Sequence, residues 1–345
     1  MKLGNFLFPE SREPAQDGAV IEETLEEAKL SEALGFDAVW LAEHHFDGIC
    51  AYVDPVSFAA ALATATTRCR IGFAVVQTSL HHPIRLAEQL ALIDHLSKGR
   101  LIVGLGRGTA YNIYDYQGYG IEAAEAQARF KEAAEIMVKA WTGEPVEHRG
   151  RFWQLKLPQL RPRPFTQPHP FVIRSASGEA SMVEIARTGQ PFLMNVQSNA
   201  VTRQRLELYR RTMREAGFDA TAIARNLDNC WIWRNVFVAE TDEEGRRVGV
   251  PAFQAMIEQR AAMRNRVYAK QGVRLQAEPA AAPARADPGH ALICGSPAIV
   301  AKAFAEIEQL GIGGVIMQFR LGPMPHAVAA RSLELFAREV APRFR

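Results

Sequence analysis

The sequence predicts a (β/α)8 TIM barrel, and three observations support this fold class. Short apolar runs of strand length alternate with helical patterns along nearly the whole chain. That alternation requires parallel pairing with right-handed crossover connections. Eight such units can be counted, the number at which a parallel sheet closes into a barrel with its functional residues at the carboxyl ends of the strands. A doubly wound open sheet is the other architecture compatible with the pattern.

The composition is that of an ordinary soluble globular protein. The 345 residues are 48% hydrophobic and 23% charged, with a formal net charge of +2, so nothing suggests nucleic acid as a partner. No apolar run is long enough to span a membrane, and the N-terminal run is too short for a signal peptide. The four cysteines form no CxxC pair, so neither a zinc site nor a disulfide framework is indicated and a cytoplasmic location is expected.

The first half of the chain contains four strand–helix units. Their strands are expected at residues 2–8, 37–41, 70–76 and 100–105. An amphipathic helix is expected at 19–34, and a second helix opens with Asp54-Pro55, a cap followed by proline in the first turn. After the fourth strand we expect a long connection at 109–121, a helix at 122–141 and a hairpin at 144–155.

The second half supplies the other four units, with strands expected at 171–173, 191–196, 230–239 and 313–319 and a closing helix at 327–340. Residues 276–289 are rich in alanine and proline and have little to bury. We therefore expect a mobile loop at 271–290 within a single barrel domain that covers 1–345. A linker between two domains is the alternative, but few residues follow it.

Polar residues follow the carboxyl ends of four predicted strands, which share one rim in a parallel barrel. In chain order these are Glu43, His44 and His45; Gln77, Thr78 and Ser79; Gly106, Arg107 and Gly108; and Arg174, Ser175 and Ser177. Imidazoles and a carboxylate suit proton transfer near neutral pH, although a purely structural role is also possible for these histidines. Adjacent residues on a strand face opposite sides, so at most one of the two histidines can face a given site, and their spacing does not suit a shared metal ion.

The residues after the fourth and fifth strands fit a phosphate group. A helix N-terminus after the fifth strand offers unpaired backbone N–H groups, and Ser175 and Ser177 add hydroxyl donors. Arg107, flanked by glycines, can present a planar bidentate donor without steric bulk. The spacing of glycines 104, 106 and 108 is not that of the GxGxxG dinucleotide fingerprint. The alternative is a tight turn in which Arg107 pairs with a carboxylate.

Four stretches, in this order, resemble the bacterial luciferase-like monooxygenases. They are Gly-Phe-Asp-Ala-Val-Trp-Leu-Ala-Glu-His-His-Phe at 35–46, Arg-Ile-Gly-Phe-Ala-Val-Val at 70–76, the run from His-His-Pro to Ser-Lys-Gly-Arg at 81–100, and Gly-Leu-Gly-Arg-Gly at 104–108. The resemblance extends over nearly the whole chain, including Arg-Ser-Ala-Ser at 174–177 and Gly-Ser-Pro at 295–297. Within the family it is nearest to the alkanal monooxygenase, or luciferase α-chain, branch.

The resemblance implies a barrel enzyme that uses reduced flavin mononucleotide (FMN) and molecular oxygen to oxidise a small organic substrate through a flavin peroxide. A separate flavin reductase would supply the reduced FMN. The family also usually forms dimers through helices near the second and third strands, so a homodimer is expected, and the alanines between Ala59 and Ala65 would permit close packing there. A deazaflavin-dependent oxidoreductase of the same fold and a non-catalytic flavin-binding subunit are the alternatives.

The resemblance also implies roles for individual residues. Arg107, Arg174 through its backbone, and Ser175 would hold the flavin phosphate. Ala74 and Val75 would lie against the isoalloxazine ring, at a cis peptide bond that does not involve proline. His44 would be the active-site imidazole, no metal would be bound, and the segment 271–290 would correspond to a mobile lid. The luciferase α-chain has a reactive cysteine where this chain has Gly106, so thiol chemistry is not expected there.

Overall fold

A computed structural model describes residues 1–11, 13–109, 113–176, 178–271 and 287–345. Its strands, β1 to β12 in chain order, are Lys2–Leu7, Ala38–Leu41, Arg70–Phe73, Val76–Gln77, Leu101–Gly106, Val146–Arg149, Gln154–Leu157, Phe171–Ala176, Phe192–Met194, Trp231–Val238, Leu292–Gly295 and Gly314–Gln318. The α-helices are Asp17–Ala33, Pro55–Ala65, Pro83–Leu96, Ile113–Gly118, Ala126–Trp141, Glu179–Arg187, Asn199–Glu215, Ala220–Asp228, Asp242–Gln271, Pro288–Ala291, Pro297–Glu308 and His326–Glu339.

Eight of these strands close into a parallel barrel. The order around the barrel is β1, β2, β3, β5, β8, β9, β10 and β12, and β12 pairs back with β1, with Lys2 opposite Gly314. The short strand β4 follows β3 after a break at residues 74–75 and pairs with β5. Strand β11 pairs with β10, and β6 and β7 form the predicted hairpin. The predicted (β/α)8 barrel is therefore confirmed, and the open sheet is wrong.

Two tryptophans fill the interior of the barrel opposite glycines. Trp40 of β2 and Trp231 of β10 are buried and meet edge to face, with ring centroids 5.0 Å apart. A Cβ atom on Gly4 would lie 2.5 Å from Nε1 of Trp40, and one on Gly314 would lie 2.5 Å from Cδ2 of Trp231. Large rings and glycines therefore face each other, and this pairing packs the interior without a pore.

The close approach of β3 to β5 depends on Gly104. A Cβ atom there would overlap the carbonyl oxygen of Phe73 and lie 2.9 Å from Cδ1 of Leu193. We expect Gly104→Ala to lower the free energy of unfolding by about 1–3 kcal/mol, because backbone atoms of β3 would have to move. Urea denaturation measures this change.

Gly18 provides a matched control for this substitution. It is exposed in the helix Asp17–Ala33, and a Cβ atom there would have nothing within 4 Å. Gly18→Ala should raise the free energy of unfolding by roughly 0.5–1 kcal/mol, because alanine loses less backbone entropy on folding. Changes of the same sign and size in both variants would show that the contact at Gly104 does not limit the packing.

Four of the helices and strands given above were not predicted from the sequence, and one of them, the helix Pro288–Ala291, lies in the segment 271–290 that was expected to be a loop. The helix Ile113–Gly118 lies within the segment 109–121, which was expected to be a connection. The helix Ala220–Asp228 and strand β11 were also missed. Strand β11 has only four residues and is held by its pairing with β10, whereas periodicity is a reliable signal only for longer segments.

The predicted mobile loop at 271–290 lies mostly outside the described residues. At its two ends, Gln271 is the last residue of the helix Asp242–Gln271, and Asp287 is the N-cap of the helix Pro288–Ala291. None of the described helices is long and apolar enough to cross a lipid bilayer. The described residues also contain no cluster of His, Cys, Asp and Glu side chains that could hold a metal ion.

Candidate active site

The six residues proposed from the sequence lie at the carboxyl ends of four neighbouring strands. Strands β2, β3, β5 and β8 are consecutive around the barrel. His44 follows β2, Ala74 and Val75 follow β3, and Arg107 follows β5, while Arg174 and Ser175 lie in the second half of β8. Because all four strands are parallel, these residues share the carboxyl-terminal rim, where barrel enzymes have their active sites.

Val75, Gly106 and Ser175 meet at the centre of this rim segment. A Cβ atom on Gly106 would lie 2.5 Å from Cγ2 of Val75 and 3.0 Å from the hydroxyl oxygen of Ser175. The peptide bond between Ala74 and Val75 is cis, which confirms the expectation drawn from the resemblance. Ala74 and Val75 are both partly exposed. The backbone at Gly106 therefore lies close to the side chains of Val75 and Ser175, and Ala74 adds only a methyl group at this part of the rim.

Arg107 is anchored through its backbone, while its side chain has no protein partner. Its carbonyl oxygen accepts hydrogen bonds from the hydroxyl groups of Ser79, at 2.6 Å, and Tyr116, at 2.7 Å. Among the described residues, the guanidinium group has no hydrogen-bond or ion-pair partner. The alternative in which Arg107 pairs with a carboxylate is therefore wrong, and this cation is available to bind an anion.

Arg174 directs its side chain away from the rim. A guanidinium nitrogen donates to Oε1 of Glu184 at 3.1 Å, and the group lies 5.2 Å from the ring centroid of Phe130. Only its backbone can serve a ligand at the rim, as the resemblance implied. The next residue, Ser175, faces the opposite way, toward Gly106, as alternation along a strand requires. Ser177, the other predicted hydroxyl donor, lies outside the described residues.

His44 follows β2 and lies against Phe8, the residue that follows β1. Its ring meets the ring of Phe8 edge to face, with centroids 5.1 Å apart, and Nδ1 is 3.9 Å from a carboxylate oxygen of Asp47. About a third of the side chain, 30%, is exposed. Burial lowers the pKa of His44; Asp47 opposes this effect and the Arg260 guanidinium adds to it. The imidazole is thus neutral at neutral pH, the form that can accept a proton.

Glu43 and His45 face a buried hydrogen-bond network instead. Oε1 of Glu43 is bonded to Nε2 of His45 at 2.8 Å and to Nε2 of His81 at 2.7 Å, and Oε2 accepts from the backbone N–H of Gln77 at 2.6 Å. Burial alone would raise the pKa of Glu43, but His81 and His45 lower it to about 2. Burial would lower the pKa of His81, yet Glu43 outweighs this effect and raises it. An ionised carboxylate therefore lies beneath the rim at neutral pH and favours the protonated form of the His81 imidazole.

The sequence of this chain is similar to those of known proteins. The family model of the luciferase-like monooxygenases matches residues 1–313. The chain belongs to this family. The alkanal monooxygenase alpha chain of the Kryptophanaron alfredi symbiont is 28% identical over 233 residues, which cover 67% of this chain and 63% of that protein. The chain spans less than two thirds of the length of the first curated relatives it matches.

Solved structures with the same fold extend over the full chain. Monooxygenase RslO1 from Streptomyces bottropensis is 30% identical, with a TM-score of 0.83 and coverage of 100% of both chains. The oxygenating constituent of 3,6-diketocamphane monooxygenase from Pseudomonas putida, in complex with FMN, is 21% identical, with a TM-score of 0.76 and coverage of 100% and 99%. An F420-dependent secondary alcohol dehydrogenase has the same coverage, 18% identity and a TM-score of 0.75. The last two comparisons show the fold alone.

Two features near the rim of this member of the luciferase-like monooxygenase family were missed in the sequence. Asp115 is buried beside His45 and Gln77, and the only signal was a carboxylate between two tyrosines in an assumed connection. The helix Asp242–Gln271 places Arg260 near His44. Its guanidinium lies 4.9 Å from the ring centroid of Phe8, and its Nε donates to Oε1 of Glu10 at 2.7 Å.

The pairing of Glu43 with His81 makes a prediction about stability. We expect Glu43→Gln to lower the free energy of unfolding at pH 7 by about 1–3 kcal/mol, because the buried histidines lose their charged partner. The pKa of Glu43 is depressed in the folded protein, so its contribution is present above its ordinary value of 4.5 and is lost as the pH falls through about 2. Urea denaturation across that range measures it.

Glu26→Gln is the matched control for this prediction. Glu26 pairs with Lys29 on the surface, and 62% of its side chain is exposed. Its replacement should change the free energy of unfolding by no more than about 0.5 kcal/mol. Equal effects of the two substitutions at pH 7 would show that Glu43 makes no special contribution.

Proposed function

We propose that this protein is a flavin-dependent monooxygenase that uses reduced FMN and molecular oxygen to oxidise a small organic substrate. The observation that carries the proposal is that the guanidinium of Arg107 has no hydrogen-bond or ion-pair partner among the described residues, and that Arg107 directly follows Gly106, which approaches Val75 and Ser175. An anion-binding group next to a place for a planar ring is the arrangement that a flavin phosphate ester requires. Membership of the luciferase-like monooxygenase family supports the same activity.

The residues present fit FMN. Arg107, the hydroxyl of Ser175 and the unpaired N–H groups at the start of the helix Glu179–Arg187 supply the donors that a phosphate needs. Ala74 and Gly106 have little or no side chain to obstruct a ring. When bound there, reduced FMN would be the group that reacts with molecular oxygen. The chain's own contribution would be to bind and orient it and to exclude water.

His44 is proposed to manage a proton at the substrate. Its imidazole is neutral at neutral pH, is partly exposed at the rim, and is held by Phe8 on one side and Asp47 on the other. A neutral imidazole can take a proton and return it within one turnover. Glu43 and His45 have no such freedom, because the buried network engages both side chains.

Two protein partners belong to the proposal. A separate flavin reductase would deliver reduced FMN, as expected for a protein similar to the oxygenating constituent of a monooxygenase. A second copy of this chain would pack on the helix Pro83–Leu96, where Leu92 and Leu96 are 52% and 41% exposed. Ala59 and Ala63 are buried within the protomer, so they contribute less to such a contact than the sequence suggested. Light scattering would show the dimer.

A deazaflavin-dependent oxidoreductase is the second candidate, supported by the structural likeness to the F420-dependent dehydrogenase. Titration of the pure protein with oxidised and reduced FMN, riboflavin and F420 separates the two. We expect reduced FMN to bind, and to bind more tightly than riboflavin because of its phosphate. Tight binding of F420 without FMN would favour the alternative, and failure to bind any of them would overturn both.

Turnover needs a second experiment. Reduced FMN would be generated by an added reductase, and oxygen consumption and product formation would be followed across a panel of small organic substrates. We expect at least one substrate to be converted to an oxygenated product in a reaction that depends on this protein. Flavin binding without any substrate-dependent product would instead indicate a non-catalytic flavin-binding subunit.

A further inference from the structure

Asp115 is a buried carboxylate that the proposed mechanism does not use. It lies in the helix Ile113–Gly118, and its side chain is fully buried. Oδ2 accepts a hydrogen bond from Nε2 of Gln77 at 3.0 Å, and Oδ1 accepts one from the backbone N–H of His45 at 3.2 Å. One carboxylate therefore joins the segment after β2 to the strand that follows the Ala74–Val75 peptide bond.

The side-chain amide of Gln77 is the centre of this arrangement. Nε2 also donates to the backbone carbonyl of Glu43 at 2.8 Å. On the other side of the amide, a Cβ atom on Gly108 would overlap Oε1. This oxygen is buried and has no hydrogen-bond donor among the described residues. The amide therefore packs directly against the backbone next to Arg107, and its orientation is set by Asp115 and Glu43 alone.

We propose that Asp115 is a positioning residue of the flavin site, which acts through Gln77 on the segment that carries Arg107 and through the backbone of His45 on the segment that carries His44. This inference rests on the proposed function, because the ligand whose affinity it controls is FMN. The ionised carboxylate accepts from both donors at once, so it holds the two segments at a fixed separation. The same helix also holds the Arg107 segment directly, because the hydroxyl of Tyr116 donates to the carbonyl oxygen of Arg107 at 2.7 Å, so Asp115 adds the connection to Gln77 and to the His44 segment.

The ionisation of Asp115 sets the pH at which this link operates. Burial raises the pKa of Asp115 to about 7, while Gln77 and the backbone of His45 act in the opposite direction. The other ionisable groups facing it are His45 and Asp47 from the segment after β2, Tyr114 and Tyr116 from its own helix, and Tyr119 just beyond that helix. A protonated Asp115 needs an acceptor for its O–H, and the unpartnered one in Gln77 is Oε1. For this oxygen to accept from Asp115, the side-chain amide of Gln77 must rotate by half a turn. The rotation breaks the hydrogen bond from Nε2 to the backbone carbonyl of Glu43.

Flavin affinity and stability should therefore change in opposite directions with pH. The folded protein holds the Asp115 proton up to about pH 7, whereas the unfolded chain releases it near 3.8, so between these values the Asp115 contribution to stability falls as the pH rises. The ionised form, which costs stability, is the one that organises the site. FMN affinity should accordingly be highest above pH 7 and decline as the pH falls through 7.

The test is the isosteric substitution Asp115→Asn, followed by FMN titration and thermal unfolding between pH 5.5 and 8.5. We expect FMN to bind roughly tenfold more weakly at pH 8, because an asparagine cannot accept from both donors, and we expect the affinity to lose its dependence on pH near 7. The unfolding temperature at pH 8 should be unchanged or higher, because the buried charge has been removed. A purely structural role would lower affinity and stability together, and that result would overturn the proposal.

Asp94 offers a matched control near the amino-terminal ends of the strands, close to Arg70 at the start of β3. It is equally buried, and its carboxylate accepts from the backbone N–H of Thr166 at 2.7 Å and from the hydroxyl of the same residue at 3.2 Å. Asp94→Asn should affect stability but leave FMN affinity and its pH dependence as in the wild type. A change in FMN binding as large as that of Asp115→Asn would show that any buried carboxylate has this effect, and would overturn the inference.

The substitution Gln77→Met tests the route of the effect. It should weaken FMN binding and remove its dependence on pH near 7, and adding Asp115→Asn to it should have little further effect. Fully additive effects would overturn the route through Gln77. Wild-type protein that binds no FMN at any pH would overturn the proposed function itself. If the wild-type protein binds FMN and the Asp115→Asn variant shows the same affinity at every pH, only the role of Asp115 is overturned.

Discussion

His44→Ala is expected to lower turnover by about 10²–10⁴-fold while FMN still binds, because the alanine removes a group that accepts and returns a proton. The side chain stands at the rim with a pKa below its ordinary value of 6.5, held there by burial and by Arg260 against Asp47. Activity that depends on the neutral imidazole should persist throughout the neutral range and decline only at acidic pH. That acidic decline should disappear in the variant. Steady-state rates from pH 5 to 8, with FMN affinity measured separately, test both statements.

His95→Ala is a suitable control for this substitution. His95 lies at the end of the helix Pro83–Leu96, which leads into the amino-terminal end of β5, and its Nε2 is bonded to the carbonyl oxygen of Arg163 at 2.7 Å. Its replacement should leave turnover unchanged. Normal turnover of His44→Ala would remove His44 from the mechanism, and loss of FMN binding in that variant would show that the histidine shapes the flavin site instead.

Arg107→Gln should weaken FMN binding by about 1.5–3 kcal/mol, which corresponds to roughly 10–150-fold in the dissociation constant. The reason is that the guanidinium has no hydrogen-bond or ion-pair partner in the described part of the chain, so the effect of the substitution is expected to fall on the ligand. The backbone should stay in place, because Ser79 and Tyr116 hold the carbonyl oxygen of Arg107 and not its side chain. Fluorescence titration with FMN measures the change.

Riboflavin provides an internal control for this prediction, because it has the same ring and no phosphate. Its affinity should be the same for wild-type protein and Arg107→Gln. Arg85→Gln controls for the loss of one positive charge, since Arg85 is 75% exposed on the helix Pro83–Leu96. Equal losses of FMN and riboflavin affinity would place Arg107 at the ring or in the fold, and would contradict the phosphate assignment.

Much of the fold could be predicted because its signals are local. A run such as Ala38–Leu41 or Leu101–Gly106 is apolar throughout, since a barrel strand is buried on both faces. The start of a helix is also a local signal. Asp54, directly before Pro55, was predicted to be a helix cap, and its side chain accepts hydrogen bonds from the backbone N–H groups of Val56 and Ser57. The helix Ile113–Gly118 was missed because its six residues are too few to show a helical period.

The candidate site was predicted less completely than the fold. His44, Arg107 and Ser175 could be proposed because polar residues directly after apolar strands are unusual and because barrel strands share one rim. The direction of a side chain could not be read in the same way. The outward turn of Arg174 toward Glu184 and the burial of Asp115 depend on residues that are brought close only when the strands pair.

The order of residues alone established the alternation of strands and helices, the barrel it implies, and the family, because each rests on patterns within a few neighbouring positions. Folding then made β2, β3, β5 and β8 neighbours and set which face each side chain occupies. It also assigned the charges: Glu43 is ionised beside two histidines, and Asp115 titrates near neutral pH. Burial and the distance between charges determine a pKa, and both are properties of the packed chain.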